Sequence, residues 1–193
     1  MRFRYAGKYD GNPESLPTGE HRPGAVKFKE AETSGKLAVI STVISLVVLV
    51  LAGALMLWRC LPYVGESPNG YLIGLVLSIV CMVPHEMLHA LCFKGDVYMY
   101  SNLRQGMLFV IGPEDMSKGR FVFMSLLPAL VLGVLPMAIA LVDPRQIWAA
   151  VFGVFSFSMA SGDFYNVFNA LTQMPKGSRT YLHGFNSYWY LPE

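Results

Sequence analysis

Apolar positions along the chain fall into four long runs that are separated by polar stretches. Each run has at least 22 residues, which at 1.5 Å per residue is enough to cross a hydrocarbon core of about 30 Å as a helix. This pattern predicts an all-α integral membrane protein with four transmembrane helices in residues 36–171. The runs are Leu37–Trp58, Leu72–Phe93, Phe121–Val142 and Ile147–Leu171.

The two ends of the chain differ from this four-helix core. Residues 1–35 are polar, contain turn-forming stretches around Gly11 and Gly24, and lack the apolar segment of a signal peptide. We expect them to form a cytoplasmic polar arm. Residues 172–193 are rich in aromatic side chains, which collect at the headgroup interface of a membrane. They are expected to form a cytoplasmic aromatic tail.

One β-structure is expected in the polar connection between the second and third apolar runs. The stretches VYMYSN and GMLFVI flank the turn-like sequence Leu103-Arg104-Gln105-Gly106. Two runs with β-forming residues on either side of such a turn are typical of a hairpin. The pattern therefore predicts a short β-hairpin between helices two and three.

Basic residues indicate how the chain is oriented in the membrane. Of the fifteen Lys and Arg residues, thirteen lie in the N-terminal segment, the 94–120 connection and the tail. The other two connections hold only Arg59 and Arg145. Because Lys and Arg are enriched in cytoplasmic loops, we expect a multi-pass protein of the cell membrane with both termini in the cytoplasm.

The composition narrows the expected partners. Hydrophobic residues make up 53% of the chain and charged residues 15%, and the net charge is +2. Membrane lipid is therefore an expected partner, and nucleic acid is not. The cysteines Cys60, Cys81 and Cys92 are dispersed without metal-ligand spacing, so they are expected to be small apolar side chains within helices. The pattern leaves the oligomeric state open.

The stretch PHEMLHALCF places three ionisable side chains near the end of the second apolar run. His85 and His89 are four residues apart, so on a helix both imidazoles project from one face and can bind one metal ion. Glu86 is rotated by about 100° from His85, and its carboxylate can reach an attacking water without coordinating the ion. This is the HExxH arrangement of zinc peptidases. The alternative is a pair of neutral histidines that hydrogen-bond neighbouring helices, with Glu86 protonated.

The surroundings of this motif favour the functional interpretation. Ionisable groups inside a membrane span cost a few kcal/mol each to insert and usually mark a functional site. Pro84 has no N–H to donate to the carbonyl of Val80, so the helix is expected to open just before the motif.

A zinc peptidase needs a third protein ligand, and Asp163 is the candidate at a matching depth. Apart from Glu86, it is the only acidic residue in the four runs. His85 and Asp163 each lie eight residues before the end of their run, and both runs are expected to cross in the same direction. Both side chains are thus expected about 12 Å from the cytoplasmic edge. A helix-packing hydrogen bond is the alternative role of Asp163, and His183 in the tail is the alternative ligand.

Asn166 follows Asp163 by three residues and lies near the same helix face. Its amide could hydrogen-bond Asp163 or stabilise the oxyanion of a tetrahedral intermediate. We therefore predict a catalytic role for Asn166 beside that of Glu86, with a structural bond between helices as the alternative. The case for Asn169 is weaker, and His21 in the arm is expected at the surface.

With PHEMLHALCF in one span and SGDFYN in the last, the chain resembles the zincin peptidase family of small bacterial membrane proteins, a domain of unknown function. It is more distantly similar to the site-2 protease metallopeptidases, which cut substrates within or near the membrane. His85, Glu86 and His89 match the zinc motif, and Asp163 corresponds to the acidic third ligand of site-2 proteases. The chain departs from the site-2 pattern because Gly162 precedes Asp163, where those proteases usually have Asp-Gly.

These observations together predict a zinc-dependent endopeptidase embedded in the membrane. Its substrate would be a peptide or a membrane protein that reaches the site from the cytoplasmic side. The alternative is a non-catalytic membrane protein, a metal carrier or an accessory subunit, that uses the same residues. A carrier needs a polar path across the membrane. The outer halves of the second and fourth runs, LIGLVLSIV and IWAAVFGVFSF, contain almost no polar residues, which favours hydrolysis.

Overall fold

The computed structural model describes residues 2–102, 107–184 and 186–192, and the protein is mostly helical, at 57%. Within these residues the chain forms seven α-helices and seven β-strands. The helices are α1 (Ser34–Cys60), α2 (Gly70–Val80), α3 (Met82–Ala90), α4 (Lys118–Pro128), α5 (Leu135–Val142), α6 (Ile147–Met159) and α7 (Ser161–Gln173). The strands are β1 (Phe3–Lys8), β2 (Val26–Lys27), β3 (Val97–Asn102), β4 (Met107–Ile111), β5 (Met116–Ser117), β6 (Arg179–His183) and β7 (Asn186–Tyr190).

Two to four segments of the described chain are long and apolar enough to cross a membrane. Gly35–Glu66 and Lys118–Val142 each qualify as one helical segment. The pair α2 and α3, bent by 45°, and the pair α6 and α7, bent by 50°, qualify if each bent pair is one span. This composition indicates membrane association, and all four segments coincide with the predicted apolar runs.

Both bent pairs break close to the residues singled out in the sequence. Helix α2 ends at Val80 and α3 begins at Met82. Pro84 has no N–H for the carbonyl of Val80, and the helix opens at this point, as the sequence predicts. In the second pair the break at Ala160 makes Asp163 part of the first turn of α7.

Contacts between Cα atoms divide the chain into two compact units. Residues 31–85 and 126–165 form one, here called the helical unit, and residues 1–30, 86–125 and 166–193 form the other, here called the sheet unit. The division runs within α3, α4 and α7. The division into arm, four-helix core and tail stays a prediction.

Small residues allow close packing in the helical unit, where α6 contacts α1, α2 and α5. A Cβ added to Gly74 of α2 would lie 2.6 Å from the Cβ of Val151 and 2.7 Å from the carbonyl oxygen of Trp148. Only glycine fits this contact, and small side chains commonly bring membrane helices together. Cys60 is buried in this core, and all three cysteines have free thiols, in line with their predicted role.

The sheet unit shows that the all-α prediction is wrong in one respect, since it holds two β-sheets. The first has the order β1-β3-β4, and the second has the order β2-β7-β6-β5. The predicted hairpin is confirmed, because β3 and β4 pair antiparallel with Asn102 opposite Met107. Its expected turn, Leu103–Gly106, lies outside the described residues. The other strands come from the arm, the tail and the short stretch before α4.

Strand pairing between distant segments explains why these strands escaped detection. Strand β1 runs parallel to β3 and pairs Phe3 with Val97, and β2 pairs Val26 of the arm with Trp189 of the tail. Such partners are distant in sequence, and strands of two to six residues offer little periodicity to detect. The arm and tail are therefore ordered by each other and by the 94–120 connection, which the sequence does not indicate.

Candidate metal centre

Helix α3 carries the HExxH motif, and its side chains converge as the spacing predicts. One possible ligand atom from each of His85, Glu86 and His89 lies within 4.8 Å of the other two. Glu86 and His89 are buried, with 9% and 6% of their surface exposed, and His85 is half-buried. Three side chains that could bind a metal ion thus lie on one helix and are largely shielded from solvent.

Asp163 contacts the first histidine of the motif. Its Oδ2 lies 3.1 Å from Nε2 of His85, and these side chains are 13% and 16% exposed. The carboxylate is in the first turn of α7, where the positive end of the helix dipole favours a negative charge. Two ligands of a tetrahedral zinc ion, each about 2.0–2.1 Å from it, lie about 3.3 Å apart. The observed separation suits either a direct hydrogen bond or two ligands of one ion.

A backbone carbonyl orients the second histidine. Nδ1 of His89 lies 2.9 Å from the carbonyl oxygen of Met124 in α4. Because a carbonyl only accepts, Nδ1 of His89 is the donor in this hydrogen bond. Histidine ligands of metals usually make such a bond through the nitrogen that does not bind the ion.

Charged side chains hold the segment that follows α3. Arg120 donates from Nε to the carbonyl oxygen of Cys92 at 2.8 Å and forms an ion pair with Glu114. Glu114 also accepts from the backbone N–H of Lys94, at 2.9 Å, and from that of Gly95. These bonds fix the chain just beyond the motif. These bonds are not among the predictions from the sequence, where an acid and a base six residues apart in the 94–120 connection are only a weak signal.

Asn166 lies on α7 three residues beyond Asp163, and its predicted catalytic role stays a prediction. It lines a shallow depression together with Phe28, Glu30, Phe121, Asn169 and Ser187. Glu30 accepts from the backbone N–H of Ser187 at 2.8 Å. Burial raises the pKa of the Glu30 carboxyl above its usual value. The amide of Asn166 therefore lies beside a partly desolvated acid of the arm.

Asn169 and Gln173 dock the arm onto α7. Oδ1 of Asn169 accepts from Nε2 of Gln173 at 3.0 Å, and Gln173 bonds both the N–H and the carbonyl oxygen of Lys29, at 2.6 and 3.1 Å. Asn169 thus has an evident structural role, which agrees with its weaker case as a catalytic residue.

The two remaining histidines contact each other. The ring centroids of His21 and His183 are 4.9 Å apart, and Nδ1 of His21 lies 3.0 Å from the hydroxyl of Tyr181. His21 is exposed, as expected. The ring of His183 contacts the rings of His21 and Tyr188, both in the sheet unit. Its alternative role as third ligand stays a prediction.

Comparison with known protein families covers the segment that contains both parts of this centre. A family model described as "Putative zincin peptidase" matches residues 78–179, which are 102 of the 193 residues. The chain belongs to this family. No curated protein and no solved structure matches the chain. The family name implies a peptidase that uses zinc, and two imidazoles with neighbouring carboxylates form a donor set that zinc accepts. The relation to site-2 proteases stays a prediction.

Proposed function

We propose that this zincin-family protein is a zinc-dependent endopeptidase embedded in the membrane, which hydrolyses peptide bonds near the cytoplasmic face. The contact between Asp163 and His85 carries the proposal. Among the four apolar runs of the sequence, only the stretches around His85 and Asp163 contain acidic residues or histidines, and this contact joins them. The apolar helices support the membrane location, and the Lys and Arg distribution supports the orientation with both termini in the cytoplasm.

His85, His89 and Asp163 would hold the zinc ion in this proposal. Nδ1 of His89 lies at hydrogen-bond distance from the carbonyl of Met124, so Nε2 would be the nitrogen that binds the ion. Nε2 of His85 faces the carboxylate of Asp163. When bound, zinc would polarise the scissile carbonyl and lower the pKa of a water molecule.

Glu86 would act as the general base and then as the general acid. Its carboxylate takes a proton from the attacking water and delivers that proton to the leaving amine. Glu86 is buried, which would keep this transfer away from bulk solvent. Asn166 would donate from its amide to the oxyanion of the tetrahedral intermediate, and its position one helical turn after Asp163 supports this assignment.

The substrate would be an extended peptide or an unwound part of a membrane protein. Strand β4 is at the edge of the sheet β1-β3-β4 in the part of the chain that the structure describes. Peptides are often recognised by adding a strand to such an edge. Met107–Ile111 would then bind the substrate backbone, and the alternating side chains of β4 would select its sequence.

Metal content of the purified protein tests the ligand assignment. We expect about one zinc per chain in the wild type and a loss of most of it in His85→Ala and Asp163→Ala, because three protein ligands are needed. His183→Ala is the matched control and should keep its zinc. Stoichiometric zinc in both His85→Ala and Asp163→Ala would contradict the assignment. Zinc binding without cleavage of any peptide would favour the non-catalytic alternative.

A further inference from the structure

The orientation of His89 depends on a carbonyl that belongs to a different helix. Met124, whose carbonyl oxygen accepts from His89 Nδ1, lies within α4, and both residues are buried. Carbonyl oxygens inside an α-helix normally accept from the N–H four residues later. A mid-helix carbonyl that binds a side chain therefore calls for a local cause.

Pro128 supplies that cause. It lies four residues after Met124, at the last position of α4, and has no N–H to donate. Its ring also clashes sterically with the carbonyl four residues earlier. Pro128 is fully buried, and the wider π-helical turn Ala129–Val134 follows it. A proline inside a helix is strongly unfavourable relative to alanine, so we expect Pro128 to have a specific structural role.

We propose that Pro128 is a positioning residue for the metal centre, because it frees the carbonyl of Met124 to fix the His89 imidazole as its Nδ1–H tautomer. This inference rests on the proposed zinc site. With an N–H at position 128, the helix would compete with His89 for the same carbonyl. The imidazole would then lose part of its preference for the tautomer that presents Nε2.

The tautomer of His89 in the metal-free protein tests the inference without any zinc. We expect nitrogen NMR of histidine-labelled protein, at mildly alkaline pH, to show the Nδ1–H tautomer in the wild type. A His89→Asn sample identifies the signal. Pro128→Ala should shift it towards a mixture with the Nε2–H form. An Nε2–H tautomer in the wild type would overturn the proposal, even if the variant failed to fold.

Zinc affinity provides the second readout. Loss of a bond that orients a histidine ligand typically weakens metal binding about 10- to 100-fold, and we expect this change in the zinc dissociation constant of Pro128→Ala. Pro136→Ala is the matched control, since Pro136 is also buried but lies in the first turn of α5. It should bind zinc like the wild type and keep the His89 tautomer.

The two readouts separate this inference from the proposed function. If the wild type binds no zinc, the proposed function fails, and the tautomer alone decides the role of Pro128. If the wild type binds zinc and Pro128→Ala binds it equally well with an unchanged tautomer, the inference fails and the proposed function stands. Alanine is a better helix former than proline, so we expect Pro128→Ala to fold.

Discussion

At the scale of single residues, an isosteric substitution can test the role of Glu86 separately from the roles of the neighbouring metal ligands. Glu86→Gln keeps the size of the side chain but removes the base, so we expect zinc to remain while peptide cleavage falls about 10²- to 10⁴-fold. Cleavage of a peptide library and zinc content, measured on the same sample, check this. Glu32→Gln changes an exposed glutamate of the arm and should have no effect. Cleavage at the wild-type rate by Glu86→Gln would remove this residue from its assigned role.

At the same scale, part of the candidate metal centre could be predicted from the types and spacing of its residues. The histidine spacing predicted the cluster on α3, and the matched depth predicted that Asp163 would approach His85, as the structure shows. The carbonyl of Met124 could not be found in this way, because a backbone acceptor has no residue type of its own. The sequence indicates this free carbonyl only indirectly, through Pro128 four residues later.

At the scale of elements, helix packing depends on glycines that admit no side chain. Gly74→Ala would place a Cβ 2.6 Å from Val151 and 2.7 Å from the backbone of Trp148. We expect a loss of about 1–3 kcal/mol in stability, as for other overpacked sites, measured by thermal unfolding in detergent. Gly119→Ala is the control, since a Cβ on this helical glycine meets nothing within 4 Å. Equal melting temperatures of the two variants would contradict the packing argument.

The helices could be predicted because length and apolar character alone distinguish a membrane span. A proline additionally indicates where a helix opens, and the α2 and α3 pair bends close to Pro84. The strands of the arm and tail depend on partners that only the folded chain brings together. Strand β2 has two residues and pairs with Tyr188 and Trp189, so neither its length nor its periodicity distinguishes it from a loop.

At the scale of the whole molecule, one carboxylate bonds to several segments of the sheet unit. Asp115 accepts from Arg179, at 3.1 Å from its Nε and 3.0 Å from Nη2, and from the hydroxyl of Tyr190. Arg22 of the arm lies 3.8 Å away. These partners lower the pKa of Asp115, chiefly through the hydrogen bond from Arg179. The ionised form thus joins the arm, the tail and the stretch before α4.

The sign of the shift predicts how the sheet unit responds to acid. The pKa of Asp115 is lower in the folded protein than in the unfolded chain. Ionised Asp115 therefore contributes fully to the free energy of unfolding above about pH 4, and this contribution is lost as the pH falls through the lowered pKa.

We expect Asp115→Asn to remove the same contribution at neutral pH. Hydrogen bonds to charged groups contribute about 1.5–3 kcal/mol, so hydrogen exchange of the β6 and β7 amides should accelerate about tenfold or more. Asp143→Asn, in the loop before α6, should leave these amides unchanged, because the hydrogen bonds to its carboxylate are local, from Gln146 and Arg145. Wild-type protection in Asp115→Asn would show instead that backbone pairing and aromatic packing hold the tail without this carboxylate.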